Sequence, residues 1–280
     1  MPENRVVLIT GASSGFGRES ARLLLGHGFR VYGTSRNPSA RPGVTGIGMV
    51  TVDVDSDDSV RNGVKELLDE TGRLDAVVNN AGYVLTGGAE ETSIAEAKAQ
   101  FETDFFGHVR VSKAVLPTMR AQASGHIINI SSLAAVLPVP FEGYYAAAKA
   151  ALLAWSEALR HEVKSFGIRV SVIEPGFFKT NLGSSRRPAK SMIPDYDELR
   201  RRAVSALDAD FENGGDPKVV ADTVLRILMS KNPRLEYAVG RERMYKTLRK
   251  IMPPSMIESG VRRHWKLDSK NPRKQPRAKE

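Results

Sequence analysis

Apolar residues fall in short runs that alternate with longer stretches of helical period. Val6–Thr10, Arg30–Thr34, Met49–Val54 and Ala76–Asn79 read as strands, followed by Ile127–Ser131, Val170–Glu174 and Glu236–Val239. Each run is short and rich in β-branched side chains, as a buried strand should be. Between them Gly17–Leu25, Ser56–Glu70, Phe101–Ala121 and Tyr145–Ser165 carry the spacing of amphipathic helices. Alternation sustained almost to Gly240 predicts one α/β domain over residues 1–240, a doubly wound parallel sheet of about seven strands with helices on both faces. Ligands bind such sheets beyond the carboxyl ends of the strands, so motifs there carry the most weight.

Three stretches leave that rhythm. Residues 183–215 are polar, Arg-rich and free of a strand pattern, which suggests a substrate lobe or lid. Residues 241–267 mix Met244, Leu248, Ile251, Met252, Met256, Ile257, Val261 and Trp265 with many bases. They read as a helical appendage packed over the cleft or on a neighbouring subunit, in preference to a helix lying on a membrane surface. Residues 268–280 form a basic tail of disordered composition.

Charge changes the picture only after it is located. The net charge of +9 suggests a nucleic-acid partner, yet Arg262 to Glu280 alone holds eight Lys/Arg against two Asp/Glu. The remainder is close to balanced, so the domain is not read as a nucleic-acid binder. Cysteine is absent and the five histidines are scattered, which leaves no pattern for a metal. The start of the chain lacks the apolar stretch of a signal peptide, and no run approaches a spanning helix. A cytoplasmic location is expected.

The first chemical motif follows the first strand. Thr10-Gly11-Ala12-Ser13-Ser14-Gly15-Phe16-Gly17 joins it to an amphipathic helix. Gly11 permits a tight turn, while Gly15 and Gly17 let backbone and helix approach a pyrophosphate. The helix start adds free N–H groups and a positive dipole end. Ser13 and Ser14 add hydroxyl donors. The strand before and the helix after are the context that a Rossmann-type phosphate turn requires.

This glycine spacing resembles the short-chain dehydrogenase/reductase family. Asn79-Asn80-Ala81-Gly82, Tyr145-Ala-Ala-Ala-Lys149 and Pro175-Gly176-Phe177-Phe178-Lys179-Thr180 follow in the family's order, over roughly residues 5 to 240. The resemblance implies that Asn80, Ala81 and Gly82 lie beside the cofactor's ribose and that Asp53 and Val54 contact adenine. It also implies that Pro175, Gly176, Phe178 and Thr180 meet the nicotinamide carboxamide. The layout, including Tyr237-Ala-Val-Gly240, is similar to the 17β-hydroxysteroid dehydrogenase-like subgroup. Folds of this kind that prefer NAD place a carboxylate at the end of the second strand. Here Ser35 and Arg36 stand there instead, suited to a 2′-phosphate, and NADP(H) is the expected cofactor.

Tyr145 and Lys149 are four apart on a predicted helix and share a face. Free tyrosine titrates near ~10, too high for neutral acid–base work unless a nearby ammonium and a bound nicotinamide favour the phenolate. Tyr144 lacks a lysine four residues on, so Tyr145 is chosen. The family's serine, thirteen residues before the tyrosine, falls on Ser132, with Ser131 as its competitor. Lys149 also reaches the nicotinamide ribose by resemblance. Asp104, in Thr103-Asp104-Phe105-Phe106-Gly107, stands where the family has asparagine, in a proton relay to the lysine. Its added charge either raises the lysine pKa and softens its effect on Tyr145, or changes little.

The expected activity interconverts a hydroxyl and a carbonyl by hydride transfer, with Tyr145 as acid and base. Tyr83 to Leu85, Val136 to Phe141 and Phe177-Phe178 predict a hydrophobic small-molecule substrate. Further copies of the chain are the other expected partner. Two alternatives stay open: a non-catalytic NADP(H)-binding redox sensor, and a lyase or epimerase that uses the cofactor transiently.

Overall fold

A computed structural model describes residues 4–37, 44–180 and 186–268. The tail beyond Asp268 and the start of the expected lobe, 183–185, lie outside the described residues.

Seven strands form one parallel sheet: β1 (Val6–Ile9), β2 (Arg30–Ser35), β3 (Gly48–Thr51), β4 (Ala76–Asn79), β6 (Gly125–Ile130), β7 (Ile168–Pro175) and β9 (Glu236–Val239). Their order is β3-β2-β1-β4-β6-β7-β9, so the direction of winding reverses between β1 and β4. A two-residue parallel pair, β5 (Leu85–Thr86) with β8 (Arg187–Pro188), stands apart. The region read as free of strands therefore contributes one, too short to leave a pattern.

Period-two alternation decides which face each strand residue serves. Val6 and Leu8 belong to a core with α2 (Asp57–Thr71), α4 (Gly107–Ala121) and the end of α5 (Gly143–Val163). Val7 and Ile9 belong to the opposite core with α1 (Gly15–Gly26) and α7 (Lys218–Met229). Both faces are covered, so β1, β4 and β6 are buried along their whole length. A third, smaller cluster joins Val84, Val139 and Tyr145 to Ala203 and Leu207 of α6 (Asp197–Glu212) and to Trp265.

The segment predicted as one helix from Phe101 to Ala121 is three pieces. A capping box of Ser93 and Glu96 starts α3 (Ile94–Phe101), and a single π-helical turn, Glu102–Phe106, joins it to α4. One extra residue in that turn places Asp104 inside the molecule, where it is fully buried. Such turns recur at functional sites.

Beyond the sheet come α8 (Arg243–Leu248) and α9 (Pro254–His264). Lys246 ties this appendage down, pairing with Glu174, wholly buried on β7, and with Glu236 on β9. None of the described helices is long and apolar enough to cross a membrane.

The glycine turn is set by packing. A Cβ at Gly17 would stand 2.5 Å from the Gly11 carbonyl oxygen and 2.6 Å from the Asn80 amide. Gly17→Ala is therefore expected to cost about 1–3 kcal/mol through overpacking. It should lower Tm by several degrees and weaken dinucleotide binding at least about tenfold as the turn is displaced. Thermal melts and NADPH titration check this, and an unchanged affinity would contradict it.

Candidate active site

The carboxyl ends of the strands open into a cavity of about 1070 Å³. Every cofactor and catalytic candidate named from the sequence lines it except Gly17, which is set back to hold the turn. The distribution follows the fold. β1 delivers the glycine turn, β2 delivers Ser35 and Arg36, and β4 delivers Asn80 to Gly82. Ser132 follows β6, and Pro175 ends β7.

The first end of the cavity is a phosphate cradle. Gly11 and Gly15 adopt φ of 66° and 52°, a region that L side chains seldom enter. Asn80 staples the turn by donating from Nδ2 to the carbonyls of Thr10 (2.9 Å) and Gly11 (3.2 Å). Thr10 Oγ1 accepts from the amides of Asn80 and Ala81. Ser14 caps α1 in an extended conformation without a side-chain cap bond, and no acidic residue occupies the first turn. Amide donors and dipole are left to an anion, which is what a dinucleotide pyrophosphate requires. At the rim, Arg36 is exposed at the end of β2 with no carboxylate among Thr34 to Asn37.

The second end is buried and polar. Lys149 Nζ lies 2.9 Å from Asp104 Oδ1, and both side chains are nearly inaccessible. Nζ also donates to the Ile130 carbonyl at 3.0 Å and stands 5.8 Å from the centre of the Tyr145 ring. Asp104 Oδ2 accepts from Gln100 Nε2 (2.5 Å) and from the Tyr83 amide (3.2 Å). Gly82 makes room for this carboxylate, since a Cβ there would sit 2.5 Å from Oδ1. Ser132 faces the Tyr145 phenol and favours its ionised form. Ser131 turns the other way and donates to the Lys149 carbonyl at 3.0 Å. Tyr144 lies outside the cavity, its hydroxyl reaching the Ala89 carbonyl.

The sequence argument has Lys149 and a bound nicotinamide together acidifying Tyr145. Of the chain's own surroundings, burial pushes the phenol above its ordinary value, Asp104 and Glu142 push it further, and Ser132 opposes them. Lys149 Nζ pairs with Asp104. Burial raises the Asp104 carboxyl in turn, with Lys149 opposing. His108, bonded to the Ala81 carbonyl at 2.9 Å, is held neutral, driven down to about 3 by burial and by Lys149.

Of the expected substrate wall, Tyr83, Val84, Val136, Leu137, Val139, Phe177 and Phe178 line the cavity, whereas Leu85, Pro138, Pro140 and Phe141 do not. The appendage completes the wall with Leu248, Met252, Met256, Ile257 and Val261. Glu242 accepts from the Phe177 amide at 3.3 Å, anchoring the same appendage to the turn after β7. Gln100 and Glu142 are site residues that sequence reasoning passed over. Gln100 stands four residues before Asp104, and Glu142 is a lone acid in the apolar run before Tyr145. No cluster able to hold a metal occurs among the described residues.

The chain belongs to the short chain dehydrogenase family, whose sequence profile matches residues 5–191. It is 37% identical over 262 residues to a 3-ketodihydrosphingosine reductase of Bacteroides thetaiotaomicron, covering 92% of this chain and 97% of that protein. It is 32% identical to a probable short-chain type dehydrogenase/reductase, VdlC, of Helicobacter pylori, covering 91% and 95%. A crystal structure of a short-chain dehydrogenase from Streptomyces avermitilis superposes with a TM-score of 0.78 at 32% identity, covering 95% of this chain and 98% of that one. The protein is thus an oxidoreductase of the short-chain class with a Rossmann-like α/β fold.

Proposed function

We propose that the protein is an NADP(H)-dependent oxidoreductase that interconverts a carbonyl and a hydroxyl on a mainly hydrophobic small molecule. The observation that carries this reading is the placement of Ser132, Tyr145 and Lys149 in the cavity that begins at the glycine turn. When bound, the nicotinamide supplies or accepts the hydride. The chain's own residues do the rest. Gly11 to Gly17 and the start of α1 hold the pyrophosphate, and Lys149 holds the ribose. Ser132 and Tyr145 bond the substrate oxygen, and Tyr145 gives it a proton or takes one away. Apolar walls from Val136, Leu137, Phe177 and the appendage exclude water around that exchange. A relative named for reduction of a keto compound supports a carbonyl substrate.

The test is NADPH consumption, followed at the nicotinamide absorbance, across a panel of hydrophobic ketones and aldehydes. Stoichiometric consumption supports a reductase. Its absence across the panel removes this reading in favour of a redox sensor.

Cofactor choice rests on Arg36. A charge-assisted bond from guanidinium to phosphate is worth about 1.5–3 kcal/mol. Arg36→Asp, which substitutes a repelling carboxylate, should raise the KM for NADPH by about tenfold to a hundredfold and improve the use of NADH. Paired KM measurements decide, and an unchanged NADPH/NADH ratio would refute the assignment.

A further inference from the structure

Glu142 is a buried acid to which the chemistry above gives no task. It immediately precedes α5, three residues before Tyr145, and lines the same cavity. The residue is 3% exposed. Its carboxylate does not cap the helix, and Oε1 accepts no hydrogen bond. The facing cation is Arg186, 4.0 Å away, whose guanidinium also pairs with Asp208 on α6. Burial without a hydrogen bond is costly for a carboxylate. Accordingly its pKa is pushed up to about 7 by burial, with Arg186 opposing.

The backbone behind it is strained as well. Phe141 has φ of 65°, rare for a bulky L residue, and is held there as its carbonyl accepts from the Gly87 amide at 2.8 Å. The strained turn thus leads directly into a cavity-lining carboxylate with one oxygen short of a hydrogen bond. Backbone strain and a buried carboxylate oxygen without a hydrogen bond coincide where a ligand would relieve the second.

The rest of this wall defines the ligand. Between Ser132 and Glu142 the chain lines the cavity with Leu133, Ala134, Val136, Leu137 and Val139, none of which offers a hydrogen-bonding side chain. The other charged groups that act on this pair are Arg186, on Glu142, and Asp104, on Tyr145. Glu142, directly before the first turn of α5, and Tyr145, in that turn, line one cavity together, so a molecule whose carbonyl meets Tyr145 can present a nearby substituent to Glu142.

We infer that Glu142 is a substrate-recognition residue which binds a protonated amine carried one or two carbons from the carbonyl held by Tyr145. The substrate class is an amino ketone with an apolar chain, reduced to an amino alcohol. The carbonyl carbon gains the hydride from NADPH, which leaves as NADP⁺. The oxygen gains the Tyr145 proton, which is replaced from solvent. The amine stays charged and takes no part in the transfer. This inference rests on the reading of Tyr145 given above.

The experiment compares three substrates with NADPH: a long-chain α-amino ketone, the same ketone without the amine, and the same chain with a hydroxyl in place of the amine. The wild type should favour the amino ketone over the plain ketone at least about tenfold in kcat/KM, mainly through KM. In Glu142→Gln that ratio should fall close to one. Equal use of the two ketones by the wild type overturns the inference, as does a preference that survives in Glu142→Gln. Greater use of the hydroxy ketone also overturns it and marks Glu142 as a hydroxyl acceptor. In each of these cases NADPH is still consumed and the oxidoreductase reading stands. If none of the three is reduced, that reading fails and takes this one with it. Should Glu142→Gln not fold, the wild-type ratio decides alone.

Discussion

Replacing Tyr145 with phenylalanine is expected to lower kcat for NADPH-dependent carbonyl reduction by about two to four orders of magnitude, the usual worth of a positioned acid. NADPH affinity should fall far less. The ring is part of a buried cluster with Val84, Ala134 and Val139, and phenylalanine preserves that packing. What is lost is the proton-donating hydroxyl that Ser132 faces. The direction of its pKa shift adds a pH signature. Burial, Asp104 and Glu142 all hold the phenol in its protonated form. Reduction needs that form, so its rate should stay level through neutrality and fall only at alkaline pH. Oxidation needs the phenolate and should climb over the same alkaline range. Rate–pH profiles in both directions, with NADPH titration of the variant, check the assignment. A Tyr145→Phe protein that retains more than about a tenth of wild-type turnover would remove Tyr145 from the chemistry.

The sheet was legible because its strands obey a simple rule. Val6 and Leu8 go to one core, Val7 and Ile9 to the other, and buried runs flanked by helices leave few other solutions. The glycine turn was legible because Gly11 takes a positive φ and Gly17 packs on the Gly11 carbonyl, demands made within the turn itself. The Asn80 amide that also crowds it is delivered by β4. Asp104 was visible as an anomaly, but its partners were not. The π turn shifts the register after Phe101, so a continuous helical period does not bring Asp104 onto Lys149. Gln100 is locked by Tyr83 and Leu85 on another segment, and Glu142 meets Arg186 far along the chain, contacts that periodicity does not encode. The same limit applies at Tyr145. Spacing puts a lysine near a phenol, but burial and the carboxylate beside the lysine decide which way the proton equilibrium moves. The appendage was recognisable as helical and amphipathic, whereas its share in the cavity wall depends on Lys246 reaching Glu174 across the sheet end.

Asp104→Asn should move the alkaline limb of the reduction profile downward by about one pH unit or more, a tenfold change in the protonation ratio. Asp104 meets only donors. Lys149 stands at Oδ1, and Gln100 Nε2 and the Tyr83 amide stand at Oδ2. Gln100 is not free to turn over, because its Oε1 accepts from the Leu85 amide at 2.7 Å while its Nε2 donates to the Tyr83 carbonyl at 3.0 Å. An asparagine offers one acceptor and two donors, so either orientation faces an N–H with another N–H or with an ammonium. The loss of one partner from a buried ion pair costs about 3–5 kcal/mol, which thermal unfolding should register as a fall of roughly 10 °C. The electrostatic consequences share one sign. Removing a negative charge near Tyr145 favours the phenolate, and an ammonium released from Asp104 favours it again. Reduction then loses its proton donor at lower pH, while oxidation at neutral pH gains relative to wild type. A uniform drop in both directions with the limb unmoved would show that Asp104 only holds the fold. A downward shift that matches the rise in oxidation would show that this carboxylate sets the proton state in which the site works.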